Sequence, residues 1–357
     1  MSRALHAKKR LRLLLLAFAA LFFFACASLK RAEPDGGIGE SDAGEDGSAD
    51  AGPETGFTIV RKNPEAGAFR TVWVGGPELV YIGGDNGALI EKKGDDWREV
   101  VLGPGVDVSG VWASGPSEAL AVGTLKNTNT GPIFRRAADR WIQIGTAPHG
   151  LRSVWGSGDM RYAVGNDGVV YSGPPTDPLG KGFQVEPNEL VAKTLFVPIF
   201  FSIGGNDENR VMIAGDFTMT VFFDGTWHSY ADTIDRTRSF RAIWGPAGAP
   251  SIDIFQGANY FGLWHFTGAV NPVIQLNEEK DQLQNSNRWI WGIWGSEDRV
   301  ICVGDEGRIM TYDRQTGLVK KHASPTTKSL YAIGGTSLDD IWIVGDEQLV
   351  LHGHLRD

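Results

Sequence analysis

Cysteine is almost missing from this chain: of 357 residues, two are Cys, Cys26 and Cys302. That excludes a disulfide framework, and it excludes a Cys-rich zinc site, which needs several closely spaced ligands. Basic charge is short as well. Lys and Arg number 34 against 43 Asp and Glu, a formal net charge of −9. An acidic surface repels phosphate backbones, so nucleic acid is excluded as a partner. After the first 30 residues, no stretch of a dozen combines helical periodicity with capping residues, which argues against βαβ units. Gly-x-Ser-x-Gly does not occur, and the nearest approach to a sialidase Asp-box, Phe222-Phe-Asp-Gly-Thr-Trp227, lacks both its Ser and its spacing.

What is present begins with an address. Arg3, Lys8, Lys9, Arg10 and Arg12 precede an unbroken apolar run from Leu13 to Ala25. Residues 1–27 therefore read as a secretory or lipoprotein signal, and removing its five basic side chains takes the net charge to about −14. A retained anchor is the rival, because Leu13 to Leu29 gives 17 residues, the lower limit of a bilayer span. Phe24-Ala25-Cys26 resembles the bacterial lipobox, whose Cys is diacylated, although Phe23 and Phe24 depart from that pattern. Ala25-Cys26-Ala27 also fits the small-x-small rule of ordinary signal peptidase, so both routes stay open. Residues 28–56 form an acidic linker. Between 32 and 56 it has eight acidic side chains and no basic or aromatic one, a composition that stays unfolded and suits a tether.

Residues 57–357 read as one domain made of repeats. The anchors Trp73, Trp112, Trp155, Ile203, Trp244, Trp294 and Ile333 recur at intervals of 39 to 50 residues. Around each, an apolar run meets a polar turn, a second run ends in Gly, and a third follows a turn rich in Asp, Asn and Gly. Such units are hairpins that bury their apolar faces only against neighbours. Four antiparallel strands per unit, seven times over, predict an all-β, seven-bladed β-propeller with four-stranded antiparallel blades. The last unit has only three strands, so the orphan strand Phe57–Lys62 is expected to pair with it and close the ring. The phrases Ser153-Val-Trp-Gly-Ser-Gly158, Gly292-Ile-Trp-Gly-Ser296 and Asp339-Asp-Ile-Trp-Ile-Val-Gly-Asp346 resemble those of bacterial secreted and lipoprotein β-propellers with BNR-like repeats. They are also similar to the photosystem-assembly-factor type. The resemblance implies the fold and names no ligand.

The turns after the second strands supply the candidate binding face: Asp85, Asn166, Asp167, Asp216, Asp305 and Asp346. Hairpin chemistry explains them, since Asp and Asn bond their own backbone in tight turns. A functional reading places them as a ring of carboxylates at one mouth of the central channel, able to hold a polar ligand or a divalent cation; no other cofactor is called for. Cys302, where other units have Ala or Ile, reads as a small buried hydrophobe. His352-Gly-His354 reads as an exposed pair without a third metal ligand. Arginines, including Arg152 and Arg241, are scattered, and the inserts Pro174–Pro198 and Thr267–Arg288 are the expected partner loops.

The resulting expectation is an exported, envelope-anchored, non-enzymatic binding or scaffold module. Its expected place is the cell envelope, as an outer-membrane lipoprotein or a periplasmic or extracellular protein, touching the membrane through its N-terminal lipid and binding an envelope protein or a surface polysaccharide. The alternative is a secreted glycan-acting hydrolase. Replacing Cys26→Ser in the expressed chain is expected to move it from the membrane fraction to the soluble fraction, and mass spectrometry of the wild-type N-terminal peptide to show diacylglycerol. An unmodified peptide beginning at Ala27 or later removes the lipid anchor.

Overall fold

Dense β-branched and aromatic runs broken by Gly, Asn and Asp turns favour short antiparallel strands. The computed structural model describes residues 56–175, 198–216, 218–223, 226–229, 239–259, 262–267, 274–275 and 288–355. The signal, Cys26, nearly all of the linker and most of both inserts lie outside these residues. Among the described residues there is no α-helix.

The first strand is β1 (Phe57–Arg61). The first sheet contains β2 (Phe69–Gly76), β3 (Leu79–Gly84), β4 (Ala88–Lys93) and β5 (Asp96–Val101). The second contains β6 (Val106–Gly115), β7 (Glu118–Leu125), β8 (Gly131–Ala137) and β9 (Arg140–Ala147). The third has β10 (Leu151–Ser157), β11 (Met160–Gly165) and β12 (Val170–Gly173). The fourth follows with β13 (Phe200–Asp207), β14 (Arg210–Gly215), β15 (Thr218–Phe223) and β16 (Thr226–Ser229). The fifth comprises β17 (Phe240–Trp244), β18 (Ile254–Ala258), β19 (Gly262–Phe266) and β20 (Ile274–Gln275). The sixth comprises β21 (Ile290–Gly295), β22 (Arg299–Gly304), β23 (Ile309–Asp313) and β24 (Val319–His322). In the last sheet β25 (Leu330–Ser337), β26 (Asp340–Gly345) and β27 (Leu349–Gly353) are joined by β1, whose Phe57 pairs with Gly353 and Ile59 with Leu351.

The expectation of seven four-stranded blades is corrected. Six sheets are four-stranded, and the sheet β10–β12 has three strands among the described residues. Residues 176–197, where the sequence reading needs its fourth, fall outside them. The anchors also need correction at two units. Register pairs Trp73 with Tyr81 but Gly204 with Met212 and Gly334 with Trp342, so Gly, not Ile203 or Ile333, holds the Trp position there. The fifth unit has a longer first turn, with β17 ending at Trp244 and β18 beginning at Ile254.

The innermost strands β2, β6, β10, β13, β17, β21 and β25 each pack on the next, and β25 packs on β2. Apolar clusters fill the spaces between neighbouring sheets. One joins Leu120 and Val122 to Leu151 and Val154, and another joins Val80 and Ile82 to Trp342 and Val344. Cys302 is fully buried among such residues, and burial pushes its thiol up. Polar ties cross the same spaces. Buried Arg136 donates to buried Glu91 at 3.0 Å, which also accepts from Trp141 Nε1 at 2.6 Å. Arg161 reaches Glu118 through two bonds of 2.7 and 2.9 Å.

Asp253 ties three sheets together. Its backbone exchanges bonds of 2.9 and 3.0 Å with the Asn206 side chain, His265 Nε2 lies 2.7 Å from Oδ1, and the Arg314 guanidinium contacts Oδ2. His352 repeats the device: it stacks on Trp342 with centroids 4.0 Å apart and meets Asp340 at 3.1 Å. The expected exposed histidine pair is thus corrected, because His352 is half-buried in an intrablade stack and His354 alone is exposed.

Two outcomes follow. Phe57 is 1% exposed in the core shared by the last two sheets, so Phe57→Ala should cost about 3–5 kcal/mol in chemical denaturation. A loss under about 0.5 kcal/mol would show that β1 carries no part of the core. Burial raises the Asp253 carboxyl, but His265 and Arg314 outweigh it and hold the group below its usual range. A depressed carboxylate contributes stability above its unfolded value near 3.9 and loses it as pH falls through the folded value. Asp253→Asn should therefore destabilise by about 1.5–3 kcal/mol at pH 7. That difference should shrink below about pH 4, as followed by denaturation at each pH.

Candidate functional site

Every innermost strand breaks register at the same place. Pairing skips one residue between Phe69 and Thr71, Val108 and Gly110, Leu151 and Ser153, Phe200 and Ser202, Phe240 and Ala242, Ile290 and Gly292, and Leu330 and Ala332. A bulge leaves its extra residue out of the ladder and re-aims the side chain. The seven residues so freed are Arg70, Ser109, Arg152, Phe201, Arg241, Trp291 and Tyr331.

Six of them form an uninterrupted cationic and aromatic set, and five interlock directly. The Arg241 guanidinium lies over Phe201 at 3.4 Å, Trp289 at 4.6 Å and Trp291 at 5.6 Å from the ring centroids. Trp289 stacks on Trp291 at 5.6 Å, and Trp291 meets Tyr331 edge-on at 5.7 Å. Arg70 covers Tyr331 at 4.4 Å. Guanidinium planes and aromatic faces attract strongly when partly desolvated. The contacts run through the fourth, fifth, sixth, last and first sheets.

The three arginines are not equivalent. Arg70 donates Nε to Asp85 Oδ1 at 3.0 Å and NH2 to Oδ2 at 3.2 Å, a bidentate pair that neutralises it. Arg152 donates Nε to the neutral Asn166 Oδ1 at 2.9 Å and forms no ion pair with a described residue. Among the described residues Arg241 pairs only with Asp216, at 3.8 Å, and its buried Nε finds no partner. Burial lowers Arg241 to about 10; Asp216 opposes that shift and Arg152 adds to it. Burial likewise lowers Arg152, with Asp107 and Asp216 opposing and Arg70 adding.

The six residues expected to form the binding face lie in the turns directly behind this arc. Asp85–Gly87, Asn166–Gly168, Asp305–Gly307 and Asp346–Gln348 are single 3₁₀ turns whose second residue is left-handed, at φ 57 to 61°. Gly87 is required at φ +79°, where a Cβ would sit 2.4 Å from the Gly103 carbonyl oxygen. The side chains do not cap their own turns, as hairpin chemistry had suggested. They reach instead to the strand entering the centre: Asp85 accepts from the Ala68 N–H at 3.0 Å, and Asp305 from the Trp289 N–H and Trp291 Nε1 at 2.8 and 2.7 Å. Asp216 accepts from Ser239 at 2.8 Å, burial and the charge of Asp346 raise the Tyr331 hydroxyl, and Asp167 lies 2.7 Å from His149. These groups hold the arc in place. Among the described residues no three His, Cys, Asp or Glu side chains gather as a metal site.

The arginines that read as scattered in the sequence are brought together here with Trp289 and Trp291. The signal was the offset: Arg70, Arg152, Arg241 and Trp291 each stand three residues before a repeat Trp.

No family model matches the sequence, and no curated protein matches it. Solved structures do. YCF48 bound to a D1 peptide is similar with a TM-score of 0.63 at 12% identity, covering 86% of this chain and 99% of that one. The WD40 β-propeller domain of Doa1 gives 0.63 at 12% identity, covering 85% and 98%. The extracellular domain of a hybrid two-component system from B. thetaiotaomicron gives 0.60 at 15% identity, covering 83% of this chain and 39% of that one. With register, packing and these likenesses together, the fold is an all-β propeller of antiparallel blades.

Proposed function

We propose that this chain is a non-enzymatic binding propeller that receives a segment of a partner protein across the mouth framed by the seven bulge residues. The observation that carries the reading is the arc of Arg241, Trp289, Trp291, Tyr331 and Arg70, built by a repeated backbone device and braced from behind by Asp85, Asp216, Asp305 and Asp346. Arginine and aromatic side chains in a braced setting are the groups that dominate protein recognition. The D1 peptide bound to YCF48 supports a peptide ligand over a polysaccharide. In the same reading the sheet β10–β12 is the seventh blade and β1 closes the ring. The acidic segment 28–56 spaces an exported head from a membrane that holds the lipid on Cys26. Because Asp85 and Asp305 are already engaged, the mouth receives its ligand through guanidinium and aromatic groups rather than through a divalent cation.

Photo-crosslinking tests this. With benzoylphenylalanine in place of Tyr331, the chain should crosslink to a discrete protein in an envelope extract, and with the same group in place of the outer-edge Trp97 it should not. Crosslinks from position 97 alone, or release of reducing sugar ends from envelope polysaccharide, would overturn the reading.

A further inference from the structure

Arg152, Phe201 and Arg241 occupy the bulges of three successive innermost strands, β10, β13 and β17, which pack side by side. Phe201 thus stands between two arginines in strand order, and Arg241 lies on its face at 3.4 Å. Among the described residues neither cation is neutralised as Arg70 is. Arg152 is bonded to an uncharged amide, while the Asp216 nearest Arg241 is 3.8 Å away and accepts from Ser239. The buried Arg241 Nε is an unmade hydrogen bond in a partly desolvated place. The charge of Arg152 adds to burial in disfavouring the charged form of Arg241, a cost that an anion arriving between the two would relieve.

We propose that Arg152 and Arg241 form a carboxylate seat, with Phe201 as its floor, and that the segment received at the mouth is an acidic peptide whose Asp or Glu side chain docks there. This rests on the binding reading above and adds the chemistry of the ligand. A carboxylate accepts from two guanidinium groups at once and relieves their repulsion, while the rigid stack on Phe201 and Trp289 leaves little side-chain entropy to lose. An acidic sugar fits less well. Sugars dock on free aromatic faces, and here Arg241 covers Phe201 and Trp289, while Trp289 and Trp291 stack on each other.

The test uses the full chain and three fluorescein-labelled probes: a hexapeptide alternating Glu and Phe, its Gln counterpart, and trigalacturonate. Fluorescence anisotropy should show the Glu peptide bound at least about tenfold more tightly than the Gln peptide, with the difference falling as salt rises. Arg241→Gln and Arg152→Gln should each remove that tenfold preference, and an undiminished preference in either variant overturns the seat. Arg98→Gln, at the outer edge, should alter nothing. If Arg241→Gln unfolds by circular dichroism, Arg152→Gln decides alone. Equal binding of both peptides overturns the carboxylate seat and leaves peptide binding standing. Binding of neither peptide overturns both, and tighter binding of trigalacturonate than of the Glu peptide overturns the peptide as the source of the carboxylate.

Discussion

One register shift, repeated in every innermost strand, governs the character of this protein's centre. A regular strand would turn alternate side chains into the two flanking interblade spaces, where Phe69, Leu151, Phe200 and Phe240 are buried. Skipping one residue after each of these positions frees a side chain from both spaces. The bulge therefore keeps three arginines out of the apolar spaces that receive Phe69, Leu151, Phe200 and Phe240, where a guanidinium would be costly to bury. The turns between second and third strands complete the device. Their carboxylates and amides reach across to the bulges, and their backbone N–H groups fasten the entering chain, as with Asp85 to the Ala68 carbonyl at 2.9 Å.

A second constraint surrounds the first. Each sheet has two apolar faces and can bury them only against its neighbours, so no sheet is stable by itself. Between sheets the apolar clusters give the free energy, and polar ties such as Glu91 with Arg136 and Asn206 with Asp253 fix how the sheets slide against each other. Buried ion pairs contribute little net stability after desolvation. One of the ties, Asn206 with Asp253, joins the sheets that carry Phe201 and Arg241.

Much of this was legible in the chain. The recurring Trp and Gly positions announced short strands, the interval announced a propeller, and Phe57–Lys62 announced a missing partner strand; β1 does pair with β27. What stayed hidden were relations that depend on register. Arg70, Arg152 and Arg241 are 82 and 89 residues apart in sequence, and nothing in composition says that they share a place. The misaligned anchors at Ile203 and Ile333 concealed Phe201 and Tyr331 in the same way, since a one-residue slip exchanges faces of a strand. Asp85 and Asp305 were read as turn residues because short polar side chains next to Gly usually are. Only the three-dimensional neighbour, Arg70 or the Trp289 N–H, distinguishes a brace from a turn. His265 and His352 each lie 12 residues after their Asp partner, a spacing that looks arbitrary until the hairpin between them is known.

The pairing of β1 with β27 also sets a clock. Phe57 finds Gly353 only after nearly 300 intervening residues have been made, which at ordinary synthesis rates of ~5–20 residues per second is about 15–60 s. Through that interval the first strand to emerge is the last to be used. Contacts of such sequence separation are slow to form, because loop closure must precede any gain from pairing. In a chain built this way Phe57 waits without its pairing partner until β27 is made.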